Sequence, residues 1–101
     1  MNIKNFNVYA LYGIYGELLT ENQRAVVEDY FGLDLSLGEI AEMKGISRQA
    51  VKDTLDKAEK LLFEYESKLK LHEKMGRISG LKVDDDGRVV VEKILEILEE
   101  K

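Results

Sequence analysis

Apolar residues recur along the chain at helical spacing, and the first stretch of this kind is rich in aromatic side chains. Residues 3–16 read "IKNFNVYALYGIYG", in which apolar or small residues fall at i, i+3, i+4 and i+7. This spacing predicts a mostly buried helix that ends near Gly16, with a buried strand as the alternative. The face expected to lie against the core consists of Phe6, Tyr9, Ala10 and Gly13.

Two polar capping signals predict where the next two helices begin. Thr20 and Gln23 form a Thr-x-x-Gln capping box, and Ser36 and Glu39 form a Ser-x-x-Glu box. In such a box each side chain accepts a hydrogen bond from the other residue's backbone N–H, which satisfies two donors at the helix start. The second helix is expected to end at Gly32 and to supply the core with Val26, Val27, Tyr30 and Phe31.

The stretch "LSLGEIAEMKGISRQAV", residues 35–51, predicts a helix-turn-helix. Gly45 falls where the third helix ends and where the tight turn needs a residue that tolerates positive φ. Ser47 then caps the fourth helix. Ile46 and Val51 are expected to point inward from either side of the turn. The motif indicates the fold but does not decide the function, because such motifs bind DNA and also serve as protein docking elements.

The fourth helix has no breaker between Arg48 and Met75, so it is predicted to run unbroken for roughly 40 Å. Apolar residues recur along it at alternating steps of four and three, the heptad pattern of a packed seam. The second half outruns the first three helices and needs its own cover, either the C-terminal helix folded back or a second copy, and we favour a homodimer. The seam consists of Val51, Leu55, Ala58, Leu62, Tyr65, Leu69 and His72. The expected dimer or partner surface consists of Leu62, Phe63, Tyr65 and Leu69.

The C-terminal quarter divides into a linker and a final helix. Residues 76–88, "GRISGLKVDDDGR", are the one clear linker, and "VVVEKILEILEE" predicts an amphipathic helix. The alternative for residues 81–91 is a β-hairpin that turns at Asp86–Gly87. The predicted organisation is a helix-turn-helix domain over residues 1–75, then a linker and helix over residues 76–101. The apolar face of the final helix consists of Val91, Ile94, Leu95 and Leu98.

Composition narrows the class of protein. The chain has 101 residues, enough for one domain, with no cysteine for disulfides or thiolate metal sites and no apolar run as long as a membrane span. The N-terminal residues do not resemble a signal peptide, so we expect a cytoplasmic protein. Acidic residues outnumber basic ones by 20 to 15, yet residues 36–60 carry five of each. The motif is therefore neutral, and the acidity lies on its flanks.

The candidate nucleic-acid contacts lie at the start of the fourth helix. Arginine suits guanine and glutamine suits adenine in the major groove, and a helix N-terminus favours phosphate. The candidate contact residues are Ser47, Arg48, Gln49 and Lys52. The outer face of the same helix is expected to present Gln49, Asp53, Asp56 and Lys60. Because its aspartates would repel phosphate, the alternative is a solvated face on which these charges pair with one another.

Residues 17–75 resemble the YlxM family of small bacterial helix-turn-helix proteins, which are similar in fold to region 4 of sigma factors. The resemblance is carried by "LLTENQRAVVEDYF", "LSLGEIAE", "SRQAV" and "AEKLLFEYESKLKLHEK". It implies an all-α fold and a regulatory or accessory role in the signal recognition particle pathway, through the particle's RNA or protein. Lys52, where the family tends to have an aromatic residue, and the tail after Met75 depart from the family pattern.

No set of residues in the sequence predicts catalysis, a metal site or a cofactor. His72 lies alone on the seam and is expected to be a packing or helix-end residue rather than a ligand or a catalyst. The sequence "DDDG" at residues 84–87 lacks the spacing and the glutamate of a calcium loop, and it predicts a turn. We therefore expect an all-α, non-enzymatic protein, without a cofactor, that binds DNA, the particle's RNA or a protein of the pathway.

Overall fold

Helices account for most of the chain, as the apolar spacing predicts. The computed structural model describes residues 6–81 and 87–100, and within these ranges it contains six α-helices and no strand. A short 3₁₀ turn, Gly16–Leu18, follows the first helix, and a π-helical turn, Glu28–Gly32, extends the second. The all-α fold class is confirmed. The helices are α1 (Phe6–Tyr15), α2 (Glu21–Val27), α3 (Leu37–Lys44), α4 (Arg48–Leu69), α5 (Leu71–Ser79) and α6 (Arg88–Glu99).

Both predicted capping boxes are present. The backbone N–H of Gln23 donates to Thr20 Oγ1 at 3.1 Å, and Thr20 N–H donates to Gln23 Oε1 at 3.0 Å. Ser36 and Glu39 exchange the same two bonds, each at 3.0 Å. Caps of this type stabilise a helix by about 1 kcal/mol each. They therefore fix the start of α2 and of α3.

The first four helices pack around one apolar core, and we call α1–α4 the head. The predicted buried face of α1 is wrong: Ala10 and Gly13 are exposed, Tyr9 is half-buried, and the side chain of Phe6 lies outside the described part. The helix is apolar on most sides, so several faces satisfy helical spacing and packing on α4 selects among them. The buried side chains of the head are Val8, Leu11, Tyr15, Leu19, Val26, Val27, Phe31, Ile40, Ala41, Val51, Leu55, Ala58 and Leu62.

The prediction of one unbroken fourth helix from Arg48 to Met75 is wrong. Helix α4 ends at Leu69, Lys70 adopts a left-handed conformation with φ of 54°, and α5 begins at Leu71. The heptad seam accordingly holds only in its first part. Its members Val51, Leu55, Ala58 and Leu62 are buried, Tyr65 is half-buried, and Leu69 and His72 are exposed.

Hydrogen bonds from Tyr15 and Glu66 stabilise the break between α4 and α5, and Tyr15 is distant from the break in sequence. The carboxylate of Glu66 accepts the backbone N–H of His72 at 3.0 Å and that of Glu73 at 3.1 Å. The Tyr15 hydroxyl of α1 donates to Glu66 at 2.7 Å and accepts the N–H of Leu71 at 3.1 Å. Glu66 and Tyr15 together satisfy N–H groups that α5 exposes at its start. A local sequence pattern contains no sign of this tertiary cap.

Helices α5 and α6 pack against each other, and we call this pair the arm. Ile97 is buried between them, Lys74 Nζ donates to the Glu100 carbonyl at 2.6 Å, and Arg77 pairs with the Glu100 carboxylate. The predicted final helix is confirmed.

No helix in the described ranges combines the length and hydropathy needed to cross a bilayer.

The other C-terminal predictions need correction. The hairpin alternative is wrong for residues 88–91, which are helical, and Asp86 lies outside the described residues. Part of the predicted 76–88 linker is helical instead, since residues 76–79 belong to α5 and Arg88 begins α6. The domain boundary predicted at residue 75 likewise falls inside α5. The turn predicted for "DDDG" can be followed only at Gly87, which has φ of 72° directly before α6.

Candidate nucleic-acid interface

The turn between α3 and α4 has the geometry that the sequence predicts. Gly45 is left-handed, with φ of 69° and ψ of 33°, and the N–H of Ile46 donates to the Ala41 carbonyl at 3.1 Å. This bond closes the end of α3 as a Schellman-type cap. Val51 is fully buried as predicted, but Ile46 is 42 % exposed. The inward prediction for Ile46 is therefore wrong, because the cap turns that residue out at the corner.

Ser47 is the N-cap of α4. Its Oγ accepts the backbone N–H of Ala50 at 3.0 Å. The N–H groups of the first helical residues have no acceptor within a helix, so those of Arg48 and Gln49 are available to an external one. Both side chains are exposed. The start of α4 thus offers two backbone donors and two polar side chains on one surface.

The side chain of Arg48 lies across the first turn of α3. A Cβ added to Gly38 would stand 2.8 Å from Nη2 and 2.9 Å from Nε of Arg48, closer than real side chains allow. Glycine at position 38 therefore leaves the space that the guanidinium occupies. The exposed guanidinium of Arg48 thus lies beside the first turn of α3 and close to the start of α4. The sequence prediction named Arg48 but missed Gly38, whose only sign was a glycine in the first turn of a helix.

The outer face of α4 is as predicted, with exposed side chains that pair along the helix. Gln49 Nε2 donates to Asp53 at 2.8 Å, and Lys52 Nζ contacts Asp56 at 3.0 Å. The hydrogen bond and the charge of Asp56 raise the pKa of Lys52 above its ordinary value, so Lys52 is cationic at neutral pH. Exposed pairs of this kind contribute little to stability. A ligand can therefore replace them at small cost.

The acidity of this face continues into the next turn of α4. Glu59 is half-buried, and this burial raises the pKa of its carboxyl above the ordinary value. The nearby charge of Asp56 acts in the same direction, while that of Lys52 opposes it. The carboxylates and cations of residues 52–59 thus form one coupled surface. Any anionic ligand must contact the basic end of that surface, at the start of α4.

Comparison with known proteins agrees with this geometry. The family model UPF0122, described as a helix-turn-helix protein, YlxM / p13 like, matches residues 3–101. This chain belongs to the UPF0122 family. The resemblance to YlxM proteins that the sequence suggests is thereby confirmed, and so is the helix-turn-helix.

Three curated UPF0122 relatives give the extent of the likeness. The chain is 55 % identical to a protein of Desulforamulus reducens over 65 residues, 64 % of this chain and 56 % of the relative. It is 45 % identical to one of Clostridium novyi over 80 residues, 79 % and 65 % of the two chains. With a protein of Fusobacterium nucleatum the identity is 42 % over 88 residues, 84 % and 85 %. The chain thus spans less than two thirds of the first two relatives.

The partner surface predicted for this UPF0122 chain is only partly exposed. Leu62 is fully buried in the head, which corrects its assignment to that surface, and the half-buried Tyr65 packs on Tyr15 with ring centroids 6.0 Å apart. Phe63 and Leu69 remain 46 % and 47 % exposed. Leu62 and Tyr65 are covered because α1 reaches further along α4 than the sequence indicated. Two residues of the predicted surface are therefore left to contact a partner.

The described part of the UPF0122 chain contains few other residues that could form a ligand site. His72 is exposed and lies in the first turn of α5, so of the two predicted roles the helix-end position is confirmed and packing in a seam is wrong. Within the described ranges no group of three His, Cys, Asp or Glu side chains is placed to hold a metal ion. The surface built by Gly38, Ser47, Arg48, Gln49 and Lys52 is the site with the clearest geometry.

Proposed function

We propose that this UPF0122 protein binds nucleic acid through the start of α4. The observation that carries the proposal is the placement of Arg48, whose guanidinium lies against Gly38 between the ends of two helices. An exposed guanidinium at a helix start, beside backbone N–H groups that have no acceptor within the helix, can contact a phosphate or a base edge.

The proposed contacts divide into two roles. Arg48 and Gln49 are the candidates for base edges, guanine for the guanidinium and adenine for the amide. Ser47 and Lys52 are the candidates for phosphate contacts, which fix the position of a protein on nucleic acid without reading sequence. Gln49 and Lys52 must first leave Asp53 and Asp56, their partners along α4. We therefore expect Arg48 to contribute most to affinity.

Titration of a labelled DNA duplex and of the signal recognition particle RNA, at low salt, tests the proposal. Arg48→Ala should weaken binding by about 1–3 kcal/mol and relax base preference. Lys57→Ala removes the same charge from the same helix outside the proposed contact set and should change affinity much less. Gly38→Ala requires only a small shift of the flexible Arg48 side chain and should change affinity much less than Arg48→Ala. Absence of affinity for either nucleic acid at low salt contradicts the proposal.

Docking of a protein on the same face is the second candidate. Asp53 and Asp56 are exposed on the outer face of α4, and the chain carries a net charge of −5. Both features suit a basic protein better than a phosphate backbone. Asp53→Asn with Asp56→Asn separates the candidates, because it should strengthen nucleic-acid binding and weaken docking of a basic protein. Unchanged affinity of this variant for a basic protein that binds the unaltered chain would exclude the docking role for these two residues.

The pathway and the assembly remain proposals that follow from the resemblance and from the exposed residues. A regulatory or accessory role in the signal recognition particle pathway implies a cytoplasmic protein that binds and does not catalyse. Capture of pathway components by the purified protein, with and without nuclease, tests that role.

Self-association is proposed through Phe63 and Leu69 alone. Sedimentation equilibrium of the chain and of Phe63→Glu with Leu69→Glu tests it, and a mass of 11.6 kDa for the unaltered chain refutes the dimer.

A further inference from the structure

Helix α6 presents only part of its apolar surface to the arm. Ile97 is buried against α5, and Val90 and Ile94 are half-buried. On the remaining apolar side, Val91, Leu95 and Leu98 are 54 %, 52 % and 52 % exposed. We call these three residues the α6 stripe.

The spacing of the α6 stripe is that of a helix-pairing seam. Its residues stand at i, i+4 and i+7, the steps of four and three that bring side chains onto one line along a helix. Among the exposed apolar residues of the head, Leu18 and Met43 lie on separate elements, and Phe63 and Leu69 share α4 but are six residues apart, a spacing that does not form such a line. Single exposed apolar side chains are ordinary, whereas a contiguous apolar strip marks an interaction surface.

Acidic residues border the α6 stripe. Glu92 lies three residues before Leu95 and Glu99 four residues after it, so both are surface neighbours of the central leucine. Both carboxylates are exposed, and neither forms an ion pair with another residue that the structure describes. The stripe is therefore an apolar line with unpaired negative charge along one side.

We propose that the α6 stripe binds an amphipathic helix of another protein that carries lysine or arginine beside its apolar residues. A second copy of this chain fits the stripe less well. In an antiparallel pair centred on Leu95, each copy's Glu92 would approach the other copy's Glu99, and like charges at such positions are destabilising. An anionic membrane surface would likewise repel the two glutamates. The proposal is independent of nucleic-acid binding, because that site lies on α3 and α4.

The size of the α6 stripe determines the kind of binding. Its three residues cover about two helical turns, so the contact is small compared with the roughly 800 Å² per partner of a standard interface. Recognition of this type lays the apolar face of one helix along another, with flanking charges that choose the partner. Binding should therefore be weak, rapid in exchange and sensitive to salt.

Titration of the full chain with labelled synthetic peptides tests the proposal. The first peptide repeats leucine at heptad spacing with lysine at the other positions. The second replaces each lysine with glutamate, and the third scrambles the first, so that charge is kept and the apolar face is lost. We expect the first peptide to bind at least about tenfold more tightly than either of the others, because only it supplies both features.

Variants of α6 identify the surface that the peptide contacts. Leu95→Ser should reduce affinity for the first peptide, whereas Met43→Ser, an exposed apolar residue of the head, should not. Glu92→Lys with Glu99→Lys should reverse the preference toward the glutamate peptide. If the melting temperatures of these surface variants are unchanged, a folding defect does not explain their loss of affinity for the peptide. Equal binding of lysine and scrambled peptides, no effect of Leu95→Ser, or a monomer–dimer equilibrium that Leu95→Ser abolishes would each overturn the proposal.

Discussion

The head and the arm differ in what holds them together. In the head, apolar side chains from all four helices are buried together around Val51, Leu55 and Leu62. In the arm, the buried residues among those described are Ile97 and Lys74. The arm meets the head through α5 and α1, where Tyr15 and Glu66 bind the first N–H groups of α5. The head depends on burial of apolar area, and the position of the arm depends on a few polar contacts.

This difference implies two levels of stability in one chain. Apolar burial is cooperative because each side chain contacts many others, so the head should unfold as a unit. A segment with few buried contacts opens locally at lower free energy. The arm should therefore be able to undock from a head that remains folded. Substitutions in the head, in the arm and at the junction between them test this division.

The largest expected effect is the loss of a leucine from the head. Leu62→Ala should destabilise the protein by about 2–5 kcal/mol, because it removes a fully buried side chain and leaves a cavity. Leu69→Ala is the matched control, one heptad later on the same helix but 47 % exposed, and it should cost far less. Thermal unfolding followed by circular dichroism measures both. Similar losses for the two leucines would mean that Leu69 is buried in solution and that the apolar core extends to the end of α4.

The next effect concerns the polar cap at the start of α5. Glu66→Ala removes the acceptor of two backbone N–H groups and of the Tyr15 hydroxyl, and should cost about 1–3 kcal/mol in docking of the arm. Glu64→Ala, an exposed carboxylate on the same helix, should have little effect. Hydrogen exchange at the amides of His72 and Glu73 is the measurement. Unaltered protection of these amides in Glu66→Ala would contradict the proposed role of the cap.

The pH dependence of stability provides a second test of the cap formed by Glu66. Burial raises the pKa of Glu66, but the hydrogen bonds from Tyr15, His72 and Glu73 outweigh it and hold that pKa below its ordinary value. The contribution of the group is therefore present above the unfolded value, about pH 4.3, and is lost as pH falls through the lower folded value. The stability difference between the unaltered chain and Glu66→Ala should shrink in that range. A difference that stays constant on acidification would contradict this assignment.

Local signals in the sequence were sufficient for the helix ends of the head, although not for which side chains of α1 are buried. The capping boxes at Thr20 and Ser36, and the glycine at position 45, specify helix ends through contacts within a few residues. The break at Lys70 was not predictable in this way, because it depends on Tyr15, 51 residues before its partner Glu66. The same limit applies to the candidate site. Ser47 and Arg48 follow from the motif, whereas the space left by Gly38 depends on how α3 and α4 pack.

One glycine in the head and one in the arm, both with open surroundings, provide a test of smaller effect in which the sign of the stability change differs. Gly45 has positive φ in the turn of the head, and Gly76 lies within α5, with nothing within 4 Å of a Cβ at either position. Gly45→Ala should destabilise by about 1–2 kcal/mol because an L-residue is strained there. Gly76→Ala should stabilise α5 by roughly 0.5–1 kcal/mol. Melting curves show whether each variant is more or less stable than the unaltered chain. Stability changes of the same sign would contradict the assigned backbone conformations.

The smallest expected effect lies at the junction itself. Lys70 is left-handed with φ of 54°, a conformation that costs a lysine about 1–2 kcal/mol but costs glycine little. Lys70→Gly also increases the entropy of the unfolded chain, which offsets roughly 0.4–1 kcal/mol of the gain. The net result should be a slight stabilisation of the docked arm, seen as slower exchange of the His72 amide. Lys68→Gly is the control: it lies within α4, where glycine should destabilise by about 1 kcal/mol. If Lys70→Gly destabilised as much as Lys68→Gly, position 70 would be helical in solution and α4 would run on into α5.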